Sequence, residues 1–388
     1  MNITTQKYWI KQAAKLDASE TPLFVTDLEI IRKKIHEFKT ALPRVNLMYA
    51  IKALSSKEVI EDIQDLVDGF DIASFGEFQH LQKIVGDKRN LGKKILYSNP
   101  VKIPRHIEGA YKAGVRRFAF DSASELQKIA QYAPGSEVYL RIRVSDRGSS
   151  FPLSKKFGAD TTHAVALFGT AKDLGLNPIG LTFHVGSQSE NLIVWEWALE
   201  KCGEVIRRLT ESGFRVTMIN IGGGFPARYV EGVPPIKKVA KVINKALDTH
   251  ISRDVEVYAE PGRYVVAESS IILSTVIGRE HRSGQEWLYL DMGVFQGLME
   301  CLEMDDWKYP VFTETTHKSS ALPYSFTLTG PTCDAYDTIG FDIPLPSSTT
   351  IGDRVIIGSV GAYSVVYGSN FNGFEMPEYV FINQKKRK

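Results

Sequence analysis

The sequence predicts an α/β protein made of a TIM-type (β/α)8 barrel and a C-terminal all-β domain. Short apolar, β-rich segments alternate eight times with longer amphipathic segments, a pattern typical of a closed parallel barrel. Past residue 266, strand-like segments and turns follow one another with little helical periodicity. The 388 residues are enough for two domains, one of them a barrel of about 250 residues.

The eight predicted barrel strands are apolar segments that end in polar residues or glycine. They span residues 47–52, 69–74, 94–99, 116–122, 138–144, 180–187, 216–224 and 255–262. Between them lie segments such as 56–67, 122–133 and 196–213, whose apolar residues recur at spacings of three and four, as in amphipathic helices. These elements predict a barrel over residues 25–265.

The predicted second domain covers residues 266–388. Its strand-like segments include SIILSTVIG, EWLYLDMG, YSFTLTGPT and DRVIIGSVG. Because turns and not helical segments separate them, we predict an all-β domain. We expect residues 1–24 to complete this domain.

Composition and charge exclude several classes of function. The chain has 47 basic and 45 acidic side chains, a balance that favours neither nucleic acid nor an anionic membrane as a partner. Its three cysteines form no disulfide framework and show no paired metal-ligand spacing, which fits a reducing compartment. The sequence has no apolar stretch of about 18 residues and no leader pattern at its start. We therefore expect a soluble cytoplasmic protein without a metal site.

Polar residues collect at the predicted carboxyl ends of the barrel strands, where barrel enzymes carry their active sites. Each of them alone could be a surface or capping residue. Together they predict one polar mouth of the barrel. They are Lys52, Asp71, Asn99, Asp121, Arg141, His184, Gly222 to Gly224 and Glu260.

The segment INIGGGFP (219–226) places three glycines after the seventh strand. Glycines let backbone amides approach an anion closely, and the loop after strand seven of a barrel is a frequent phosphate site. The alternative is a plain turn, and the spacing does not match the dinucleotide-binding pattern. We predict that this loop binds phosphate.

Three of the strand-end side chains also have plain structural alternatives. Lys52 could be a solvated surface lysine, and His184 could be a satisfied core histidine. Glu260 could be no more than a partner of Arg263. However, a lysine, a phosphate site and a carboxylate together suit pyridoxal phosphate, which needs partners for its aldehyde, its phosphate and its ring nitrogen. A desolvated site near positive groups lowers the pKa of a lysine, as an imine-forming amine requires.

An ordered series of motifs resembles the ornithine/lysine/diaminopimelate decarboxylase family, the pyridoxal-phosphate enzymes with the alanine-racemase type of fold. The resemblance runs through nearly the whole chain and is closest to the bacterial ornithine/lysine decarboxylases. The motifs are YAIK, FDIASFGE, YSNP, FDS, SEL, LRI, FHVGSQ, IGGGFP, AEPGRY, GPTCDAYD and GAYS followed by FNGF.

The resemblance implies a role for each group of strand-end residues. Lys52 would bind the cofactor aldehyde covalently, His184 would stack on the cofactor ring, and Glu260 would pair with the ring nitrogen. The positions that match phosphate-binding residues of the family are Ser187, Gly223, Gly224, Arg263 and Tyr363. The positions that match residues around the lysine and the cofactor are Asp71, Glu77 and Arg141.

The resemblance also implies a head-to-tail homodimer, in which GPTCDAYD (330–337) enters the barrel of the partner. Cys333 would be the acid that reprotonates the substrate carbon, and Asp334 would hold the distal ammonium of the substrate. Phe371 would line the same shared pocket. Without the resemblance, Cys333 is most simply a buried packing residue of the β domain.

The cysteine-aspartate pair indicates ornithine or lysine as substrate, giving putrescine or cadaverine, because diaminopimelate enzymes carry cysteine-glutamate-serine there. One methylene separates the two substrates and is worth only about 1–3 kcal/mol in a pocket. MECLEMDD (299–306) replaces the tyrosine-aspartate contact of animal enzymes. Within it, Glu300 or Asp305 could substitute, or both could be solvated loop acids.

Three other functions remain as alternatives. One is the decarboxylation of a larger or modified diamino acid, diaminopimelate included. A catalytically silent regulatory homologue would be expected to lack Lys52 or Cys333, and both are present. A racemase of the same fold usually has arginine where this chain has Glu260.

Overall fold

The computed structural model of the protein divides into two compact units. It describes residues 1–16, 21–86, 91–304, 307–314 and 323–385, so Asp305 lies outside the described residues. The first unit, called the barrel unit, comprises Arg32–Pro226 and Pro234–Tyr264. The second unit, called the β unit, comprises Met1–Ile31, Ala227–Val233 and Val265–Lys388.

Strands occur in both units and are numbered in chain order. They are β1 (Leu23–Asp27), β2 (Val45–Ala50), β3 (Gly69–Ile72), β4 (Ile95–Tyr97), β5 (Arg117–Phe120), β6 (Glu137–Arg141), β7 (Ser149–Phe151), β8 (Asn177–Thr182), β9 (Ser187–Ser189), β10 (Met218–Asn220), β11 (Glu256–Ala259), β12 (Ser270–Arg282), β13 (Gln285–Leu290), β14 (Val311–Thr313), β15 (Pro323–Thr329), β16 (Thr338–Pro346), β17 (Arg354–Gly358) and β18 (Glu378–Ile382).

The α-helices are numbered in the same way. They are α1 (Ile3–Ala13), α2 (Leu28–Ala41), α3 (Lys57–Ile63), α4 (Phe75–Val85), α5 (Pro104–Lys112), α6 (Ala123–Tyr132), α7 (Ala164–Asp173), α8 (Ile193–Glu211), α9 (Ile236–His250), α10 (Arg263–Val266) and α11 (Glu300–Glu303). None of the described helices is both long enough and apolar enough to cross a bilayer.

The barrel unit contains a closed parallel barrel of eight strands, β2-β3-β4-β5-β6-β8-β10-β11. The last strand returns to the first, with Val257 opposite Val45. Each of the eight segments predicted from the sequence overlaps one of these strands, so the predicted (β/α)8 barrel is confirmed. The three helical segments quoted from the sequence correspond to α3, α6 and α8.

Apolar side chains from six different barrel strands pack together into one cluster. This packing explains the apolar strand interiors of the sequence, because side chains that point into a barrel fill it in layers. The polar residues are displaced to the strand ends as a result. The cluster consists of Met48, Leu96, Ala119, Tyr139, Ile179 and Met218.

The β unit is built on a mostly antiparallel sheet with the path β14-β17-β12-β13-β15-β16. Strand β1 extends it by pairing with β12 and β18. A core cluster that includes Trp9 and Ala13 of α1 covers this part of the sheet, with Ile271 and Leu273 of β12. The predicted all-β character of the C-terminal domain is therefore confirmed.

The unit boundaries differ from the predicted domain boundaries in two places. Residues 25–31 belong to the β unit and not to the barrel, because β1 pairs with β12. Ala227–Val233 also belongs to the β unit, where the backbone amide of Arg228 donates to Glu268 at 3.2 Å and its carbonyl accepts from Ser359 at 2.9 Å. Both segments lack a sequence pattern that marks a change of unit.

Gly180 provides a test of barrel packing. It lies opposite Met218 in the β8–β10 pair, and a Cβ at this position would lie 2.2 Å from the Met218 carbonyl oxygen. Gly180→Ala is expected to destabilise the barrel by about 1–3 kcal/mol, because backbone atoms cannot give way easily. The measurement is chemical denaturation followed by circular dichroism.

Gly169→Ala is the matched control. Gly169 lies in α7 with open space around its Cα, so alanine there should be neutral or stabilising by about 0.5–1 kcal/mol. Equal stability of the two variants would contradict the register of β8 and β10.

Candidate active site

Lys52 lies just past the carboxyl end of β2, in the single 3-10 turn Ile51–Ala53. Its Nζ is 2.5 Å from Oδ2 of Asp71 on the neighbouring strand β3. The Lys52 side chain is 42% exposed, whereas that of Asp71 is fully buried. The lysine is therefore held by a buried carboxylate while its end stays accessible, which contradicts the interpretation of Lys52 as an unattached surface lysine.

The second carboxylate oxygen of Asp71, Oδ1, is buried and has no hydrogen-bond partner among the described residues. A buried acceptor without a donor is costly. This oxygen is therefore an acceptor that suits a ligand with a hydrogen-bond donor.

Glu77 lies in the first turn of α4, directly after β3. Ser74 caps this helix by accepting from the Glu77 amide at 3.2 Å, and the Glu77 carboxylate accepts from the Ala73 amide at 2.6 Å. Burial raises the pKa of Glu77, while that amide and the charge of Lys52 oppose the rise. Glu77 thus fixes the turn beside Asp71, which agrees with its expected place near the lysine.

Glu260 follows β11 and is only 8% exposed. Ser98, just past β4, and Asn220, the last residue of β10, both donate a hydrogen bond to its Oε1. Burial raises the pKa of Glu260 to about 7, the charge of Asp71 adds to the rise, and the charge of Lys52 opposes it. The structural alternative made Glu260 a partner of Arg263, but the side chains that donate to Glu260 are Ser98 and Asn220, and Arg263 donates to Ser187.

His184 lies two residues past the end of β8. Its Nδ1 accepts a hydrogen bond from the Gly186 amide at 3.0 Å, so the hydrogen of the neutral ring is on Nε2. Burial, with the nearby charges of Arg141 and Lys52, holds the pKa of His184 well below its usual value. The side chain is a neutral flat ring at the barrel mouth, which is suited to stacking on another ring.

The triple-glycine loop follows β10, as predicted. Gly222 and Gly224 have φ of 66° and 97°, which favour glycine. A Cβ at Gly222 would lie 2.1 Å from the Phe183 carbonyl oxygen, and one at Gly224 would lie 2.4 Å from that of Gly186. Only glycine permits this close approach to the segment that carries His184.

Arg263 and Ser187 add a cation and a hydroxyl to the barrel unit. Arg263 opens α10, is 4% exposed and donates from Nε to Ser187 Oγ at 3.1 Å. Ser187 begins β9, which pairs with β7 in a two-stranded antiparallel sheet. A guanidinium, a hydroxyl and glycine amides are the groups that bind phosphate.

Two further strand-end residues have structural partners. The Asn99 side chain donates to the Ala73 carbonyl at 3.3 Å, and Asp121 accepts from the Gly158 amide at 2.9 Å. Arg141 ends β6; burial lowers its pKa, and the carboxylates of Glu260, Asp121 and Asp71 oppose this. Asn99 and Asp121 thus fix loops, whereas Arg141 adds positive charge near Glu260.

Lys102 is a second lysine near the strand ends, and sequence reasoning missed it. Its side chain is wholly buried, and burial lowers its pKa to about 8. Its Nζ lies 3.0 Å from Glu125 and donates to the carbonyls of Asn99 at 2.9 Å and Ala119 at 2.5 Å. Because an ammonium has three hydrogens, these acceptors satisfy it, and Lys102 is structural.

The β unit carries the remaining predicted site residues. Cys333 is exposed, which contradicts the interpretation of this cysteine as buried packing. Its Sγ and its amide both lie 3.3 Å from Oδ1 of Asn372. Asp334 accepts from the Tyr336 amide at 2.9 Å. Cys333 and Asp334 are therefore presented together on one loop.

Three other residues of the β unit bear on the sequence predictions. Phe371 is 39% exposed and packs against Phe295 with the two rings tilted at 45° and their centroids 4.7 Å apart. Tyr363 has a left-handed φ of 54°. Glu300 begins α11 and is 2% exposed, so its interpretation as a solvated loop acid is wrong. Glu300 lies in α11, which has only four residues, too few for a helical periodicity to be visible in the sequence.

Sequence reasoning missed Ser98, Asn220 and Asn372. Ser98 and Asn220 stand at the ends of two predicted strands, so the same criterion that selected Glu260 could have selected them. They were not selected because small neutral polar side chains are common at the ends of strands and give no sign of a functional role. Asn372 lies inside the FNGF motif, but no sequence signal indicates that its amide reaches Cys333.

Comparison with known proteins identifies the family. Residues 28–267 match the family model described as the pyridoxal-binding domain of pyridoxal-dependent decarboxylases. The chain is 34% identical to the lysine/ornithine decarboxylase of Selenomonas ruminantium over 366 residues, covering 94% of this chain and 90% of that protein. It is 35% identical to antizyme inhibitor 2 of Xenopus laevis, covering 91% and 79% of the two proteins.

Solved structures of decarboxylases resemble this chain over nearly its whole length. The lysine/ornithine decarboxylase of Vibrio vulnificus, complexed with putrescine, is 32% identical, with a TM-score of 0.84 and coverage of 94% of this chain and 95% of that chain. The same enzyme complexed with cadaverine gives a TM-score of 0.86 at 32% identity, with coverage of 97% and 98%. The fold and the site define a pyridoxal-phosphate barrel protein. The chain belongs to the family of pyridoxal-dependent decarboxylases.

The residues of the barrel mouth fit pyridoxal 5'-phosphate, the cofactor of this family. Lys52 offers an accessible amine, the glycine loop leaves no room for side chains, and Asp71 has an unsatisfied buried oxygen. Among the described residues, no group of three or more histidine, cysteine, aspartate or glutamate side chains is placed to hold a metal ion.

Replacement of Arg263 tests the phosphate site. Arg263→Gln is expected to weaken the binding of pyridoxal phosphate to the apoprotein about ten- to a hundredfold, because a charge-assisted hydrogen bond contributes about 1.5–3 kcal/mol. The measurement is a titration of the apoprotein followed by absorbance. The affinity for pyridoxal, which lacks the phosphate, should change much less.

Arg253→Gln is the control, because the Arg253 side chain is 74% exposed. It should leave both affinities unchanged. An equal loss of affinity for pyridoxal and for pyridoxal phosphate in Arg263→Gln would show that this arginine does not bind the phosphate.

Proposed function

We propose that this pyridoxal-phosphate-dependent decarboxylase acts on basic L-amino acids and converts ornithine to putrescine, lysine to cadaverine, or both. The observation that carries the proposal is the buried carboxylate of Glu260, held by two donors at the barrel end that also bears Lys52. The names of the relatives from Selenomonas ruminantium and Vibrio vulnificus support this choice of substrate.

Bound pyridoxal phosphate supplies an aldehyde that links covalently to amines and a ring that accepts the electrons left when carbon dioxide departs. Lys52 provides the resident amine, and Asp71 orients it. Glu260 would accept a hydrogen bond from the ring nitrogen and keep that nitrogen protonated, a charge-assisted bond worth about 1.5–3 kcal/mol. These groups make the ring a better electron acceptor, and they do so before substrate arrives.

His184 and the phosphate-binding groups orient the same ring. A neutral imidazole stacks without placing a positive charge against a ring that already carries one. Ser187, Gly223, Gly224 and Arg263 would fix the phosphate end, and Arg141 belongs to the same barrel unit. Tyr363 is assigned to the cofactor on the family resemblance alone. Anchoring at both ends would hold the cofactor ring in one orientation before the substrate binds, and such positioning contributes to catalysis.

The Cys333 loop supplies the second half of the reaction. The thiol of Cys333 donates a proton to the substrate carbon after decarboxylation. The carboxylate of Asp334 binds the distal ammonium of the substrate, and Phe371 lines the apolar stem. Exposure of Cys333 on the surface of the β unit supports a role in contact with a ligand.

We further propose a head-to-tail homodimer in which this loop completes the site of the partner. Tyr336 on the same loop is 72% exposed and Phe341 is 55% exposed, and aromatic residues of this kind are enriched at protein interfaces. The three cysteines form no disulfide, which supports a reducing compartment, and we propose the cytoplasm.

One feature of the loop limits the substrate. Asp334 stands where diaminopimelate enzymes carry glutamate, so a substrate with a distal ammonium is favoured over one with a distal amino acid group. A pocket discriminates weakly against one methylene, which supports activity on both ornithine and lysine. A larger or modified diamino acid is the alternative substrate.

A catalytically silent binding protein is the alternative from another class, since one relative is named antizyme inhibitor 2. The presence of Lys52, Glu260 and Cys333 favours the enzyme. Incubating the holoprotein with ornithine, lysine, diaminopimelate and arginine, and identifying the released amines, decides between them. Putrescine or cadaverine is the expected product, and no amine from any substrate would reject the proposed substrates.

Removal of the resident amine is the sharpest activity test. Lys52→Ala is expected to lower turnover below detection, because it removes the accessible amine held by Asp71, whereas the side chain of Lys102 is wholly buried. Lys57→Ala is the control, because the Lys57 side chain is 60% exposed on α3. Turnover of Lys52→Ala at the rate of the control would remove this lysine from the reaction.

Removal of the Cys333 thiol tests its role as the acid. Cys333→Ala is expected to slow amine formation and to increase the fraction of turnovers that protonate the wrong carbon and convert the cofactor to its amine form. Product analysis by mass spectrometry measures this fraction. Cys301→Ala, in the same unit, should behave as wild type, and the same fraction in both variants would contradict the assignment.

A further inference from the structure

The hydrogen bonds around Glu260 have a fixed direction. The hydroxyl of Ser98 has one hydrogen and donates it to Oε1 of Glu260, so it must accept from its other partner, the hydroxyl of Tyr139, at 2.9 Å. Tyr139 and Ser98 are both buried. The result is a chain of donors that runs from Tyr139 through Ser98 to Glu260.

The second donor to Glu260 is fixed as well. Oδ1 of Asn220 accepts from the Gly222 amide at 2.9 Å, so its Nδ2 is the atom that donates to Oε1 of Glu260. Asn220 is fully buried. This side chain therefore connects the carboxylate directly to the start of the triple-glycine loop.

Both donors reach the same oxygen. Among the described residues none donates to the other oxygen, Oε2, of Glu260. A carboxylate whose Oε1 is bonded from two directions cannot rotate without breaking both bonds, and a proton is disfavoured on the oxygen that already accepts two. Oε2 is left as the oxygen that can meet a ligand.

We infer that Ser98 and Asn220 are positioning residues that fix Oε1 of Glu260 and present Oε2 to the ring nitrogen of the cofactor, with Tyr139 setting the direction of the chain. The inference rests on the proposed function, because it takes Glu260 as the partner of that nitrogen. It goes further by assigning the two oxygens of the carboxylate different tasks.

The donors also set the charge of Glu260. The charged and titratable groups that act on it are Asp71, Lys52, Arg141 and Tyr139. Each hydrogen bond to Oε1 favours the ionised carboxylate over the acid. Removing one should raise the pH at which Glu260 takes up a proton by about 1 to 2 pH units.

The test is an infrared titration of the apoprotein, with Glu260→Gln used to identify the Glu260 carboxyl band. Ser98→Ala should raise the midpoint of this band by about 1 to 2 pH units. Tyr139→Phe, which keeps the ring, should raise it less, because Ser98 can still donate. Ser98→Thr retains a hydroxyl and should restore the wild-type midpoint.

Ser136→Ala is the matched control. Ser136 is a fully buried serine of the same barrel unit, and its hydroxyl has no partner among the described residues. In Ser136→Ala, the midpoint of the Glu260 carboxyl band should equal that of wild type. The inference would be overturned if the midpoint in Ser98→Ala equals that of wild type. It would also be overturned if Ser136→Ala shifts the midpoint as much as Ser98→Ala does.

A second readout separates this inference from the proposed function. In the holoenzyme, the acid limb of the kcat/KM profile should move to higher pH in Ser98→Ala and stay in place in Ser136→Ala. If the apoprotein midpoint moves as expected but no basic amino acid is decarboxylated, the proposed function fails and the positioning role stands. If decarboxylation occurs and the midpoint does not move, the positioning role fails alone.

Discussion

The ion pair between Lys52 and Asp71 is the interaction on which the site depends. Strands β2 and β3 are in register with Ala50 opposite Asp71, so the turn after β2 carries Lys52 directly over that carboxylate. Asp71 is buried and needs a positive partner, whereas the lysine end remains accessible. The barrel thereby holds a reactive amine in one place without burying it.

The charged side chains of the barrel mouth have opposite effects on the protonation of their neighbours. Burial and the charge of Asp71 raise the pKa of Glu260, and the charge of Lys52 lowers it. Burial, together with the charges of Arg141 and Lys52, lowers the pKa of His184 and keeps it neutral. A site of this kind can hold one positive ring nitrogen beside Glu260 and leave the imidazole uncharged. By contrast, Lys102 is more deeply buried than Lys52, but its three acceptors leave its ammonium no role beyond structure.

Much of the fold and part of the site could be predicted from the sequence. The eight strands were visible because strand interiors are apolar and ends are polar, and this contrast also located Lys52, His184 and Glu260. The predicted barrel began at residue 25, which lies inside β1, a strand that pairs with β12 of the β unit. Cys333 and Asp334 depended on the family resemblance, since nothing in a short loop indicates exposure.

The residues that escaped prediction act through contacts between distant parts of the chain. Ser98 and Asn220 are 122 positions apart in the sequence (220 − 98). They reach the same oxygen of Glu260 only because β4 and β10 belong to one closed barrel. Glu300 resembled a loop acid because its burial depends on the fold around α11. Hydrogen bonds of this kind require coordinates, whereas periodicity and strand ends do not.

The most direct test of the central claim is to locate the lysine that carries the cofactor. Borohydride reduction of the holoenzyme, followed by proteolysis and mass spectrometry, fixes the pyridoxyl group to the amine that held it. The account predicts the label on Lys52. A label on Lys102, or on no lysine, would contradict it.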